Sequence, residues 1–276
     1  MFASHDLNSS PGPALARAGA EALLCVRGVS LQFRGVKALS DVSFDVRPGE
    51  IFSIIGPNGA GKTSMLNCIS GRYSPTSGSV HLQGREITRL HPQARARAGI
   101  GRTFQNLALF GHMSVLDNIL AARHTKLRNN FITGGLYWGT GARVEEMRHR
   151  EAVEEIIEFF GIAHVRHALA GTLSYGLRKR VELARALALE PIVLLLDEPM
   201  AGMNLEEKED VARYVVELRR ERGITIAMIE HDMGVVADVS DRIVVLNYGR
   251  KIAEGLASDV LSDPAVKTAY LGWEAA

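Results

Sequence analysis

Ile51-Phe52-Ser53-Ile54-Ile55-Gly56-Pro57-Asn58-Gly59-Ala60-Gly61-Lys62-Thr63 is the stretch that decides the fold. Its first five residues are apolar at nearly every position, the pattern of a strand buried on both faces of a parallel sheet. The remainder matches G-x-x-x-x-G-K-[ST] in full. Lys62 to Ser70 then places Met65, Leu66 and Ile69 on one helical face and ends at Gly71. The stretch predicts strand, loop, helix. Glycines let successive backbone N–H groups turn inward around phosphate oxygens, and the helix N-terminus adds a favourable dipole. Lys62 would neutralise β- and γ-phosphates, and Thr63 would offer its hydroxyl to Mg²⁺. Gly56, Pro57, Asn58, Gly59, Ala60, Gly61, Lys62, Thr63 and Ser64 are thus the candidate nucleotide-binding residues.

Working outward, Leu23 to Phe33 and Ala38 to Val46 are rich in Val, Leu and Phe around an Arg34-Gly35 turn and predict antiparallel strands. Val80-His81-Leu82 with Gln83-Gly84 predicts a further small hairpin. His124 to Ala142 has little periodicity, whereas Val153, Ile156, Ile157 and Phe160 mark an amphipathic helix within Arg143 to Gly161. A second helix runs from Leu177 to Leu189 before Pro191. Ile192 to Leu196 and Ile224 to Ile229 read as buried parallel strands separated by the helical pattern Leu205 to Arg222. This alternation, with a mostly helical insertion, predicts an α/β fold.

The 276 residues correspond to one large domain or two small ones. Lys plus Arg (32) against Asp plus Glu (31) leaves a formal charge of +1, so no global basic field exists to hold nucleic acid. Cys25 and Cys68 fit neither a disulfide framework nor a metal-ligand spacing. No run of eighteen uncharged apolar residues is present, and residues 1–22 lack a continuous apolar stretch, so they read as a flexible tail.

Val193-Leu194-Leu195-Leu196-Asp197-Glu198-Pro199 is an apolar strand delivering two adjacent carboxylates at its C-terminal end, where α/β sheets bind ligands. Asp197 would hold the Mg²⁺ shell, and Glu198 would orient or deprotonate an attacking water. Two acids after a strand are ordinarily a helix cap or a solvated turn. Beside a complete phosphate loop, they indicate binding and hydrolysis of a nucleoside triphosphate.

From about Leu23 to Gly272 the sequence resembles the ATP-binding subunits of ABC transporters. Leu173-Ser174-Tyr175-Gly176-Leu177 looks like the family's LSGGQ signature, Thr103-Phe104-Gln105 like its Q-loop and Ile229-Glu230-His231-Asp232 like its switch-histidine segment. Pro199 to Asn204 occupies the D-loop position, and Phe33 falls where the family stacks an aromatic on adenine. The resemblance implies a P-loop NTPase with a RecA-like core, an antiparallel β subdomain and a helical subdomain inserted at about residues 88–180. It implies that Ser174 and the backbone of Gly176, at the start of the helix near Leu177, form a second anion site that closes the partner subunit's ATP in a head-to-tail dimer. Gln105 would offer an amide to Mg²⁺ or the lytic water, and His231 would bond the γ-phosphate. The implied partners are a second ABC ATPase subunit, two membrane permeases and, indirectly, a periplasmic binding protein. The implied place is the cytoplasmic face of the inner membrane.

Two departures stand out. Leu177 and Tyr175 replace the signature glutamine and first glycine, and Asn204 stands where the D-loop aspartate is usual. Within the family, Leu173 to Gly176, Ala201 to Asn204, the insertion from Arg123 to Arg150 and the ending Ala269-Tyr270-Leu271-Gly272 look most like the larger ATPase of branched-chain amino acid importers. Importers of urea or short amides and the lipopolysaccharide-export ATPase have similar endings. No heptad coiled coil, second cassette or guanine-reading N-K-x-D supports a chromosome, ribosome or GTPase role, and Glu198 with His231 opposes a non-hydrolysing cassette. The apolar residues within Gln105 to Ile119 read as an exposed patch that, with the insertion, forms a groove for a permease helix; the alternative is the subdomain's own core.

Overall fold

The computed structural model describes residues 22–103, 108–123 and 141–274. The Val- and Leu-rich runs form β1 (Leu24–Phe33) and β2 (Val36–Val46), antiparallel as expected. With β4 (Ser77–Leu82) and β5 (Arg85–Glu86) they make a four-stranded sheet in the order β2-β1-β4-β5. The larger sheet contains β3 (Ile51–Ile55), β6 (Ile100–Arg102), β7 (Val193–Asp197), β8 (Thr225–Ile229), β9 (Arg242–Asn247) and β10 (Arg250–Leu256). Its order is β10-β9-β3-β8-β7-β6, and all pairs are parallel except β9 with β10. Every residue of β3, β7 and β8 is buried, which is why these strands read as unbroken apolar runs.

The phosphate-loop helix α1 (Lys62–Ser70) shares one core with both sheets: Met65, Leu66 and Ile69 pack with Leu24 and Val26 from one and Phe52 and Ile54 from the other. Each such side chain contributes about 1.5–3 kcal/mol on burial. Helix α2 (Pro92–Arg97) is pinned to the end of α1 by Arg95, whose guanidinium donates to the Cys68, Ile69, Thr88 and Leu90 carbonyls. A second core joins the larger sheet to α3 (Val115–Arg123), α4 (Gly141–Phe159), α5 (Tyr175–Leu187) and α6 (Leu205–Arg222). Val153, Ile156, Ile157 and Phe160 all lie in it. The chain closes with α7 (Met233–Val239), α8 (Ala257–Ser262) and α9 (Pro264–Glu274) around a third core centred on Ile55, Ile243 and Val245.

Three expectations are corrected. The helical insertion does not begin near residue 88, because Ile100, Gly101 and Arg102 pair in parallel with Val193, Leu194 and Leu195 and so belong to the large sheet. Thr103 continues beside β7, its N–H donating to the Leu195 carbonyl. Helix α5 begins at Tyr175 rather than near Leu177, because the Ser174 hydroxyl accepts the Leu177 N–H and caps it there. The apolar run up to Ile119 is not one exposed patch: Val115 and Ile119 are wholly buried core, whereas Phe110 remains 53 % exposed with Arg185 over its ring. The irregular stretch read at His124 to Ala142 and the N-terminal tail lie almost entirely outside the described residues.

Candidate active site

The strand order β3-β8-β7 sets three C-terminal ends side by side, and each carries one of the sequence motifs. From the end of β3 the loop turns through Gly56 (φ 148°), Gly59 (φ 79°) and Gly61 (φ 99°). A Cβ on Gly56 would lie 2.0 Å from the Leu246 carbonyl oxygen, and one on Gly61 would lie 2.6 Å from that of Ala38. Glycine is required at both. No side chain among the described residues caps α1, and no acid occupies its first turn, so its leading N–H groups are left for an anion. Thr63 and Ser64 follow, both half-buried.

Lys62 is buried and donates to the carbonyls of Gly56 (2.7 Å) and Pro57 (3.0 Å). Burial lowers the pKa of its ammonium, an effect opposed by the charges of Glu198 and Asp197. Those carboxylates, at the end of β7, are thus close enough for their charge to act on Lys62. Along the outer side of the loop runs a cavity of about 600 Å³, lined by Asn58, Tyr248, Ile252 and Thr268 among others.

At the end of β7, Asp197 is 1 % exposed. Its Oδ2 pairs with Arg102 Nη2 at 3.1 Å, while its Oδ1 is buried with no hydrogen-bond partner. Burial raises its pKa, and Arg102 pulls it back down. Glu198 follows with φ 50°, its N–H donating to the Ile229 carbonyl at the end of β8. Its Oε1 lies 3.5 Å from His231 Nδ1, a half-exposed ring. Asp197, Glu198, His231 and Lys62 are thus brought together. A divalent cation fits this donor set: Asp197 offers an unused buried oxygen and Thr63 a hydroxyl. Among the described residues no cluster of three acidic, His or Cys side chains could hold a metal unaided. Such an ion would depend on phosphate oxygens and water, as Mg²⁺ commonly does.

The other expected residues are dispersed. Phe33 stands 44 % exposed at the tip of the β1–β2 hairpin, its ring edge-on to Tyr73 at 5.1 Å. The same hairpin touches the loop through Ala38. Gln105 lies outside the described residues. Ser174 is exposed at the head of α5, but Gly176 is buried against Glu207 of α6. Tyr175 donates its hydroxyl to the Ala201 carbonyl at 3.2 Å, and Asn204 caps α6 in a reciprocal box with Glu207. Tyr175 therefore ties the head of α5 to the loop before α6, and Asn204 closes the start of α6.

Two residues escaped sequence reading. Glu230 is 1 % exposed and accepts the N–H groups of Met200 (3.1 Å) and His231 (3.3 Å), locking the segment after Glu198 to the histidine. A lone acid ending an apolar strand was the available signal. Arg102 gave none, because a basic residue after a glycine reads as surface.

The loop, the carboxylate strand end and the histidine segment on this sheet define an ATP-binding cassette. The chain belongs to the ABC transporter family, whose profile matches residues 39–201. A second profile, of the branched-chain amino acid ATP-binding cassette transporter, matches residues 250–274. The chain is similar to the high-affinity branched-chain amino acid transport ATP-binding protein BraF of Pseudomonas aeruginosa, at 40 % identity over 91 % of this chain and 98 % of that one. It is similar at 39 % identity, with the same coverage, to LivG of Escherichia coli, which carries the same description. Among solved structures it superposes on the ADP conformation of the cassette MJ1267 with a TM-score of 0.79 and 32 % identity, covering 92 % of this chain and 100 % of that one. The dimeric cassette MJ0796 bound to ADP and Pi gives 0.73 and 26 %, covering 85 % and 98 %. Cassettes of this family bind and hydrolyse ATP and act as dimers with membrane permeases. No helix among the described residues is long and apolar enough to cross a membrane.

Proposed function

We propose that this chain hydrolyses ATP to power import of branched-chain amino acids. The match of residues 250–274 to the branched-chain profile supports that substrate class, because this segment is outside the general ATPase machinery. Its helix α9 also packs beside the phosphate loop, with Thr268 and Ala269 lining the cavity there.

ATP sits with its phosphates in the Gly56 to Ser64 cradle and its adenine on Phe33. Lys62 leaves the Gly56 and Pro57 carbonyls for the β- and γ-phosphates. Thr63 and Asp197, with Gln105, would hold Mg²⁺, which would supply neutralisation of developing charge on the phosphates. Glu198 takes a proton from water as its oxygen attacks the γ-phosphorus; the bond to the β–γ bridging oxygen breaks, leaving ADP and phosphate. His231 bonds the γ-phosphate, and Glu230 fixes its position relative to Glu198. Ser174 and the N-terminus of α5 close the ATP of a second, opposed cassette. The dimer works on two permeases at the cytoplasmic face of the inner membrane, fed by a periplasmic binding protein.

The test is uptake into vesicles holding the permeases, this chain and its partner cassette, with the periplasmic binding protein supplied. Leucine, isoleucine or valine accumulates with the wild type. With Glu198→Gln, ATP binding persists, turnover falls by about 10²–10⁴, and uptake stops. Uptake of none of the three, or Glu198→Gln hydrolysis at the wild-type rate, would refute the reading.

A further inference from the structure

Arg102 sits on β6, one strand from Asp197, and its side chain is 8 % exposed. Arg and carboxylate commonly pair through two parallel bonds. Here the fork is split. Nη2 donates to Asp197 Oδ2 at 3.1 Å, while Nη1 donates to Asn67 Oδ1 at 2.8 Å and Ser70 Oγ at 2.6 Å. Because Nη1 is engaged on α1, Asp197 Oδ1 is left buried and bare. Thr63, Asn67 and Ser70 are spaced i, i+4 and i+7, so they line one face of α1. The arginine thus ties Asp197 to the face of α1 that also carries Thr63.

A buried ion pair is a weak stabiliser, since desolvation offsets its attraction. Stability alone gives little reason for this one. We propose that Arg102 is a positioning residue for the metal-holding carboxylate: it anchors Asp197 to the phosphate-loop helix, fixes the carboxylate's rotation and reserves Oδ1 for the cation. The proposal rests on the reading of Asp197 as a metal-holding group.

The experiment measures Mn²⁺ binding by electron paramagnetic resonance in the full chain saturated with a non-hydrolysable ATP analogue. Nucleotide affinity is measured in parallel in EDTA, and folding by thermal unfolding. Arg102→Met should weaken Mn²⁺ by about 10–100-fold, the usual cost of losing a partner behind a metal ligand, with nucleotide affinity in EDTA unchanged. A merely structural arginine would lower both together. The double variant Asn67→Ala/Ser70→Ala keeps the ion pair but frees its anchor; it should weaken Mn²⁺ in the same direction by less. It decides the matter if Arg102→Met does not fold. Wild-type Mn²⁺ binding in either folded variant overturns the proposal. Asp197→Asn separates the two levels: if it also binds Mn²⁺ like the wild type, the reading of Asp197 has failed, whereas if only Asp197→Asn is impaired, the role of Arg102 alone has failed.

Discussion

At the phosphate loop, Lys62 and Asp197 are 7 % and 1 % exposed; Lys62 is held by backbone carbonyls of the loop and Asp197 by Arg102 of the central sheet. At the head of α5, Ser174 and Tyr175 are exposed and the supports are side chains of α6 and the loop before it. Both regions expose a helix N-terminus suited to an anion. The first is rigid because backbone meets backbone: Gly56 against Leu246, Gly61 against Ala38. The second is held by the movable ends of Glu207 and Tyr175. On the proposed function, the site that holds ATP in a single chain is preorganised, while the one that meets a second subunit's ATP is held by side chains.

The largest effect expected from this contrast is at Gly56. A Cβ there meets the Leu246 backbone 2.0 Å away, at φ 148°, and neither can yield without shifting β9. Gly56→Ala should cost more than about 3 kcal/mol, the range of backbone strain combined with overpacking. Thermal unfolding reads it, and a melting temperature near that of the wild type would show the loop to be pliable.

Next comes Lys62→Ala. It removes the cation the loop would present to the triphosphate, and charge-assisted bonds of this kind are worth about 1.5–3 kcal/mol each. ATP affinity should therefore fall roughly 10–150-fold for one such bond, and further if both phosphates are lost. Titration with a fluorescent ATP analogue checks this, and unchanged affinity would remove Lys62 from the site.

The contrast also explains what was legible in sequence. The phosphate loop, Asp197, Glu198 and His231 could be read because each follows a buried strand, and strand ends of one parallel sheet must converge. Helix α6 was bounded correctly at Leu205 and Arg222, since Asn204 and Gly223 punctuate it. The sequence pattern starts α5 two residues late because Tyr175 and Gly176 are poor helix formers, and only the cap at Ser174 reveals the boundary. Arg102 carries no signal in the sequence and Glu230 only that of an acid ending an apolar strand, because their partners are 95 and 30 residues away in the chain. The boundary near residue 88 failed for the same reason: the three-residue strand β6 is too short to leave a pattern and exists only through its pairing with β7.

A smaller effect on stability is expected on the helical side. Phe110 is 53 % exposed; Arg185 lies over its ring and donates to the Ala108 carbonyl, while Asn118 holds its backbone. Phe110→Asp loses a cation–π contact of about 0.5–1 kcal/mol at an exposed site. The folded chain and its ATP binding should survive, while co-purification with the permeases should fail. A large fall in melting temperature would make Phe110 a core residue and remove it from the membrane-facing surface.

The smallest change, Gly176→Ala, is the counterpart of Gly56→Ala and tests the contrast directly. The added Cβ would lie 2.3 Å from Glu207 Oε1, nominally as severe a clash. Yet the obstacle is the far end of a side chain rather than backbone, and Gly176 lies in the first turn of α5 outside the left-handed region. Glu207 can swing away, giving up its bond to the Asn204 N–H while Asn204 still caps the Glu207 N–H. Losing half of a capping box costs about 0.5–1 kcal/mol, and alanine returns about 1 kcal/mol of helix propensity over glycine. The two nearly cancel, so the melting temperature should stay within about 3 °C of wild type. If Gly176→Ala destabilised the chain as much as Gly56→Ala, the head of α5 would be as rigidly built as the phosphate loop. The difference between a self-contained site and one awaiting a partner would then need another physical basis.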